Sequence, residues 1–410
     1  MIIHEAEIIR DGGEITLQAR IETQNPGIGL PDVLWFKYPE QYQNVISDRA
    51  DTFLSALILV GMAVGEDLEC KGELSPRLLY AVDEYQQIFY RWLPNMFTPI
   101  HVHPAKLSYA PQPEKAGQYA SAFSGGVDSF FTLKQALFPD PGRPGWPVRY
   151  GLFIHGTPDI PLIYSQKFER FANQYSGLFN ELGLELIPVR TNLMQFSANR
   201  VAFNPFLEAP IVGSALGLSP LLSGVFMPSG RLYKLYRVGA TGPITAHLLT
   251  TEAFEPFAVG AAYKRIQKTQ AIAGWEPAQK NLRVCLGFTS ESTNPNCSYC
   301  SKCVRTRMDL YMLGKLQNMA TFEHSFGLKD YLLWGRWMEF GWDFETDSLK
   351  IALHERKDLI LPVLIGLLIG HTRHALRHVL PGWLQNQIFK YTSEGNPHQL
   401  FAQDPLSKRD

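Results

Sequence analysis

Cysteine is scarce in this sequence, and its five copies are unevenly placed. Cys285, Cys297, Cys300 and Cys303 fall within nineteen positions, while Cys70 stands alone. That distribution argues against a secreted disulfide framework and for a reducing compartment, the cytoplasm. Excess charge is missing too. With 38 basic and 39 acidic residues the formal net charge is −1, unlike a protein whose main task is coating a nucleic-acid backbone. A nucleic-acid partner is therefore not favoured, although a local basic groove stays open. Long apolar runs are absent. The longest, Leu359 to Gly370, holds about a dozen residues and includes Pro362, whereas a bilayer requires roughly 20, so no membrane partner is expected. The first residues, MIIHEAEIIRDGGEI, carry acids and no continuous apolar stretch, which is not the pattern of a signal peptide. Internal repeats and low-complexity segments are also lacking.

What remains is enough to fold. Apolar residues make up 45% and charged ones 19% of the 410, a composition that supports two or three buried cores. Residues 1–112 mix strand-like alternation (EITLQARIET, DVLWFKY) with helical patterns over 48–65 and 76–92, predicting an α+β domain. The Pro-containing stretch HVHPAKLSYAPQPEKAG reads as a linker. Residues 113–318 alternate short apolar runs with amphipathic segments. YASAF, RYGLFIHG, LELIPVRT, SGVFMPSG and KLYRVGATG read as buried strands, and 165–182 and 251–273 as helices. Strands alternating with helices predict an α/β fold with a doubly wound parallel sheet, whose ligands sit beyond the strands' carboxyl ends. Residues 319–410 read as a helical, aromatic-rich region (DYLLWGRWMEFGW). The oligomeric state is open.

The stretch YASAFSGGVDSFFTLKQAL joins a predicted strand to a predicted helix through Ser124, Gly125, Gly126, Val127, Asp128 and Ser129. Adjacent glycines allow positive φ and let backbone amides approach an anion closely. The start of the helix and the serine hydroxyls add donors, so the turn reads as a phosphate cradle. An acid inside such a cradle needs a cation between itself and the phosphate, and Asp128 therefore suggests Mg²⁺. The competing reading is a Gly-Gly turn capped by Asp128 or Ser129. The Gly-Lys-Ser/Thr ending of a Walker loop is missing.

The four clustered cysteines form two interlocked C-x-x-C units plus one upstream thiol, enough for a closed tetrahedral zinc site with a structural role. An iron–sulfur cluster or a redox dithiol would use the same residues. Lys302, Arg305 and Arg307 would offset the negative charge of such a centre.

The turn matches the SGGxDS signature at every fixed position and resembles the PP-loop, or N-type, ATP pyrophosphatases. Taken with the cysteine spacing C-x₁₁-C-x₂-C-x₂-C, the chain resembles the 7-cyano-7-deazaguanine synthase branch of that family over roughly 118–313. The resemblance implies an adenine-nucleotide alpha-hydrolase type of sheet, with ATP cleaved between its α and β phosphates. It also implies that Ser124–Ser129 hold the pyrophosphate end, that Asp128 assists a metal, and that the zinc is structural. The substrate implied is 7-carboxy-7-deazaguanine, activated as an adenylate and joined to ammonia. The chain departs from the family's usual single domain by about 110 residues before the loop and about 90 after the cysteines. It is similar in this to longer relatives from biosynthetic and anti-phage gene sets, some of which modify a macromolecule such as a protein acceptor.

Further candidates are weaker. His155, Gly156 and Asp159 follow a predicted strand, where adenine or substrate contacts belong, or they form an ordinary turn. Gly239 to His247 lies beyond another strand, with the same two readings. Arg265 and Lys268 share a helical face and either neutralise phosphates during adenylation or form a solvated basic surface. Arg190, after LELIPV, is similar. His371, His374 and His378 read as an exposed basic face. No glutaminase signature is visible, so the nitrogen comes from ammonia or another molecule. Sulfur transfer to RNA is the alternative activity, needing a reactive thiolate for which only Cys70 is left. An ATP-binding scaffold subunit is the non-enzymatic one.

Overall fold

A computed structural model describes residues 1–113, 117–139, 142, 145–197, 201, 206–233, 242–285, 294–338 and 344–380. The chain divides into two compact units. One, here the sheet unit, comprises 1–124 and 132–261; the other, the helical unit, comprises 125–131 and the chain from Ala262 onward.

The sheet unit contains β1 (Ile2–Asp11), β2 (Glu14–Glu22), β3 (Val33–Pro39), α1 (Asp51–Val64), β4 (Leu68–Leu74), α2 (Pro76–Trp92) and β5 (Val102–Leu107). After these come β6 (Tyr119–Ala122), α3 (Val127–Leu137, whose residues up to Phe131 belong to the helical unit), β7 (Val148–His155), α4 (Ser165–Glu181) and β8 (Glu185–Thr191). It closes with α5 (Leu193–Ser197), α6 (Glu208–Leu216), β9 (Gly224–Pro228) and β10 (Glu255–Val259). All ten strands form one sheet in the order β10-β9-β6-β7-β8-β3-β2-β1-β4-β5. The stretch from β10 to β8 is parallel throughout. Beyond it, β8–β3, β3–β2 and β2–β1 pair antiparallel, and β1–β4 and β4–β5 return to parallel.

Within the parallel stretch the chain starts at β6, moves outward to β7 and β8, then crosses back to place β9 on the other side of β6. The order of travel reverses beside β6, and sheets of this class bind ligands at such a reversal, beyond the strands' carboxyl ends. The expected doubly wound α/β character is present in this mostly parallel sheet.

Side-chain alternation shows both faces covered. On β7, Leu152 and Ile154 join the core formed with α1, α2 and α6. Phe153 points the other way and stacks on Phe168 of α4 with ring centroids 5.1 Å apart. β2 buries Ile15, Leu17, Ala19 and Ile21 on one face only. α1 is apolar nearly all round, and its residues 51–62 are all buried, as such a composition requires. α2 begins where the sequence signals it: Ser75 Oγ accepts from the Leu78 amide at 3.1 Å, and Pro76 occupies the first turn.

Three sequence expectations change. The linker over 101–117 contains β5, a strand of the same sheet. It lies at the sheet's edge, is mostly exposed and carries Pro104, so it shows neither alternation nor an apolar run. The N-terminal strands are likewise part of the common sheet, and the compact units do not divide at residue 112. The helix over 251–273 splits into edge strand β10 and a helix beginning at Arg265. The strand expected in KLYRVGATG lies outside the described residues, apart from Gly242 at its end.

The helical unit continues with α7 (Arg265–Ala273), α8 (Glu276–Asn281), α9 (Ser301–Met312), α10 (Leu328–Arg336), α11 (Phe344–His354) and α12 (Ile360–Val379). Val304, Met308 and Met312 of α9 pack with Tyr331, Trp334, Ala352, Leu359 and Val363. The short apolar run expected at 359–370 is part of α12. By length and composition alone, 357–376 meets the requirement for crossing a membrane, with 22% of the tested window buried. The expected helical character of the region after 318 holds through residue 380.

Candidate functional site

The chain leaves β6 through Ser124 and turns at Gly125, whose φ of 77° suits glycine and few other residues. α3 starts at once. The Phe130 amide donates to the Gly126 carbonyl at 3.0 Å, and Ser129 Oγ donates to the same oxygen at 2.9 Å. The Gly125 carbonyl accepts from the Arg283 amide at 2.8 Å, tying the turn to the segment that leads to Cys285. Among the described residues no acceptor faces the amides of Gly125 or Gly126. Open amides at the start of a helix are what an anion uses.

Asp128 sits in the first turn of α3 and meets two cations from the first turn of α7. Lys268 Nζ lies 3.0 Å from Oδ1, and Arg265 Nη1 pairs with Oδ2. Lys268 is 2% exposed and also rests over the Phe131 ring. Burial alone would favour the neutral acid, but Arg265, Lys268 and Arg305 together outweigh it and hold Asp128 well below the usual carboxylate range. The basic residues that read in sequence as either a solvated face or a phosphate clamp thus belong to a partly buried cluster, with Asp128 24% and Arg265 13% exposed. Both oxygens of Asp128 are taken by cations. A metal at this carboxylate requires that Arg265 and Lys268 pass to another anion, which an incoming phosphate provides. Arg265 Nε is buried without a hydrogen-bond acceptor, so its guanidinium has capacity left.

The four cysteines converge. Their sulfurs all lie within 4.8 Å of one another, with Cys285–Cys300 at 3.9 Å and Cys297–Cys303 at 3.8 Å. Four thiolates around one tetrahedral ion at about 2.3 Å stand roughly 3.8 Å apart. The cluster therefore fits a single ion. It is too open for a disulfide and too tight for several irons with bridging sulfides. Crowding pulls Cys300 down, through hydrogen bonds from Cys285, Cys297 and Cys303, and pushes Cys303 up. Only a cation lets all four ionise together.

The knuckle's organiser is Asn296. Its Oδ1 accepts from the amides of Val284 (2.8 Å) and Cys285 (3.2 Å), and its Nδ2 donates to the Leu282 and Thr321 carbonyls. The Cys300 amide donates to Cys297 Sγ at 3.2 Å. Arg307, expected to offset thiolate charge, instead clamps the fold. It is 2% exposed and donates to the Ser298 carbonyl, Asp330 and the Glu323 carbonyl.

His371 and His374 lie on α12 of the helical unit, and other candidates lie in the sheet unit. His155, 1% exposed, stacks on Phe168 and hydrogen-bonds the Pro161 carbonyl through Nε2 at 3.0 Å. Burial lowers it to about 4, so it is neutral at pH 7. Gly156 has φ 93°, and a Cβ there would meet the Thr191 carbonyl oxygen at 1.9 Å. Arg190 is engaged by two carboxylates, Glu14 at 2.9 Å and Glu169. Cys70 is fully buried and pushed up to about 12 by burial. A cavity of about 680 Å³ opens at the amino ends of β7 and β8, between Arg149, Asn180 and Glu185. That is the end of the strands where this class of sheet does not place its chemistry.

Sequence reasoning missed two buried acids. Asp309 on α9, 4% exposed, is raised to about 7 by burial, with Arg265 and Arg305 opposing. Glu208, 1% exposed, is raised to about 7 in the same way despite bonds from Thr245, Gly242 and Tyr85. The i, i+4 spacing of Arg305 and Asp309 was a usable signal for the first. No protein-family model, curated protein or solved structure matches the chain.

Proposed function

We propose that the chain is an ATP-dependent carbon–nitrogen ligase of the PP-loop type, acting in the cytoplasm. It transfers AMP to a carboxylate of deazapurine type such as 7-carboxy-7-deazaguanine, releases pyrophosphate, and joins the activated acyl group to a nitrogen nucleophile. The nucleophile is ammonia or an amine on a second molecule. A carboxylate is a poor acyl donor because oxide leaves badly; AMP leaves well.

The observation that carries this reading is a grouping within one compact unit. The Gly125 and Gly126 amides, which meet no acceptor among the described residues, the start of α3, Asp128, Arg265 and buried Lys268 supply backbone donors, a carboxylate and cations together. Glycine amides bind the β and γ phosphates; Arg265 and Lys268 neutralise charge that builds up as the α–β bridge breaks. Asp128 keeps the two cations in place until phosphate arrives; once they pass to the phosphate its carboxylate would hold Mg²⁺, which would supply positive charge beside the pyrophosphate. The cysteine cluster holds zinc, a closed site with folding as its role.

The sulfur-transfer alternative loses support because Cys70, the only thiol outside the cluster, is fully buried and raised to about 12. A pure scaffold has no use for cations held at a glycine turn. The deciding experiment supplies ATP, Mg²⁺ and a set of deazaguanine carboxylates and measures pyrophosphate. Carboxylate-dependent release that Arg265→Ala abolishes is expected. Failure to bind ATP or to release pyrophosphate with any carboxylate overturns the proposal.

A further inference from the structure

The proposed reaction leaves one group of the helical unit without a role. Asp309 projects from α9 into the cluster that serves Asp128. Arg265 comes from α7, and Arg305 stands one turn earlier on α9; both act on Asp128 and on Asp309. Thr269 Oγ1 lies 3.5 Å from Asp309 Oδ2. The charged groups on the other packed elements are already engaged. Asp347 of α11 is paired with Lys264, Asp330 of α10 with Arg307 at 2.6 Å, and Lys268 of α7 with Asp128 at 3.0 Å. Arg265, Lys268 and Arg305 thus act on Asp128 at the glycine turn, while Arg265, Arg305 and the carboxylate of Asp347 act on Asp309.

The charge balance of this cluster cannot be right for both states of the site. When it is empty, ionised Asp128 and Asp309 moderate three cations, of which Lys268 is buried and the two arginines are partly exposed. When a polyphosphate enters, several negative charges join the same arginines, and a second buried carboxylate becomes repulsive. Asp128 is fixed as an anion by direct ion pairs. Among the described residues Asp309 makes no ion pair shorter than 4 Å, and burial raises it to about 7. It is the group that can change charge at least cost.

We infer that Asp309 is a positioning residue that takes up a proton when a phosphate chain occupies the cluster of Arg265, Lys268 and Arg305. This rests on the phosphate-binding reading of the glycine turn. Ionised, Asp309 restrains the arginines of the empty site; protonated, it releases their charge to the ligand. Coupling is reciprocal, so protonating Asp309 must strengthen phosphate binding.

The test uses the full-length protein and inorganic pyrophosphate at pH 8, by calorimetry in buffers of different ionisation enthalpy. Wild type is expected to take up nearly one proton more than Asp309→Asn. Its affinity should also fall by up to about tenfold per pH unit above neutrality relative to the variant. Proton changes of pyrophosphate itself are common to both proteins and cancel. Equal uptake and parallel pH profiles, with both proteins binding, overturn the inference and leave the proposed function standing. Absence of pyrophosphate binding in wild type overturns both. Should Asp309→Asn fail to fold, difference infrared spectroscopy on wild type decides. A protonated-carboxyl band appearing on pyrophosphate addition supports the inference, and its absence overturns it.

Discussion

Two arginines, Arg190 in the sheet unit and Arg265 in the helical unit, sit in opposite charge settings. In the sheet unit several ionised groups pair at the rim, although Arg49 and Asp51 pair in its interior at 2.5 Å. Arg190 lies between Glu14 and Glu169, and Lys106 meets Glu73, all of them a third or more exposed or close to it. Exposed pairs of this kind contribute about 0–1 kcal/mol and constrain little. In the helical unit some charges lie inside, while Glu276–Lys280 and Arg356–Asp358 pair at the surface. Lys268 and Arg307 are each 2% exposed, and Asp309 is 4% exposed. Buried charges lose hydration worth several kcal/mol and persist only where geometry or function compensates. The contrast teaches that a basic residue's worth depends on its burial and its partners, although Arg190 and Arg265 look alike in sequence.

The sharpest way to break that comparison is to remove the metal. The helical unit has a small apolar core and four thiols that repel one another when ionised, so an ion at Cys285, Cys297, Cys300 and Cys303 contributes a large part of its stability. Structural zinc in small domains is worth roughly 10 kcal/mol or more. Elemental analysis should give one metal ion per chain. Cys300→Ser, or a strong chelator, should remove it and melt the helical unit while the sheet unit keeps its secondary structure. Circular dichroism with tryptophan fluorescence separates the two, because Trp334 and Trp337 report on the helical unit and Trp35 on the sheet. A single cooperative loss of both units would defeat the expectation.

Next in size is the clamp. Arg265→Ala removes one of two cations at Asp128 and should lower carboxylate-dependent pyrophosphate release about 10²- to 10³-fold, the usual effect of deleting one preorganised charge. Lys268→Met should act similarly. If either variant keeps wild-type turnover with unchanged ATP affinity, the cluster is structural.

Acid sensitivity gives a third test, with one group in each unit. Glu208 and Asp309 are both raised to about 7, from ordinary values of 4.5 and 3.8. Between the unfolded and folded values the unfolded chain has released a proton that the folded chain retains. Each group's contribution is therefore fully present below about pH 4 and lost as pH rises towards 7. The loss is about 3 to 4 kcal/mol per group. Glu208→Gln and Asp309→Asn should each flatten the fall in denaturant midpoint between pH 4.5 and 7. A stability profile unchanged by both substitutions would contradict the burial argument.

Much of this was legible in the sequence, for physical reasons that also mark the limits. β7 and β8 bury residues on both faces and announced themselves as apolar runs. The start of α2 is carried by Ser75 and Pro76, which act locally. β5 and β10, at the two edges, have only one neighbour each and carry Pro104 and Pro256, so nothing in their own composition distinguishes them from linker or helix. The glycine turn and the cysteine knuckle were readable because their chemistry demands particular residues at short spacing. The pairing of Asp128 with Arg265 and Lys268, across about 140 positions, was not. Asp309 gave only the weak signal of an arginine four residues earlier, since burial of a lone acid depends on what packs over it.

The smallest expected effect is the one that most directly sharpens the contrast between units. Arg190 was a candidate phosphate or substrate contact on its position after a buried strand. In the folded chain Glu14 and Glu169 flank it, Phe168 lies beneath its guanidinium at 5.7 Å, and a third of the side chain is exposed. With two carboxylates beside it, an approaching anion meets net negative charge, the reverse of Arg265, where one carboxylate faces two cations. Arg190→Ala should therefore change ATP affinity and pyrophosphate release less than about twofold and cost at most about 1 kcal/mol of stability. A loss of turnover approaching that of Arg265→Ala, with the melting temperature unchanged, would show that Arg190 trades its surface partners for the ligand. Charge at the sheet's rim would then be as functional as charge in the helical unit.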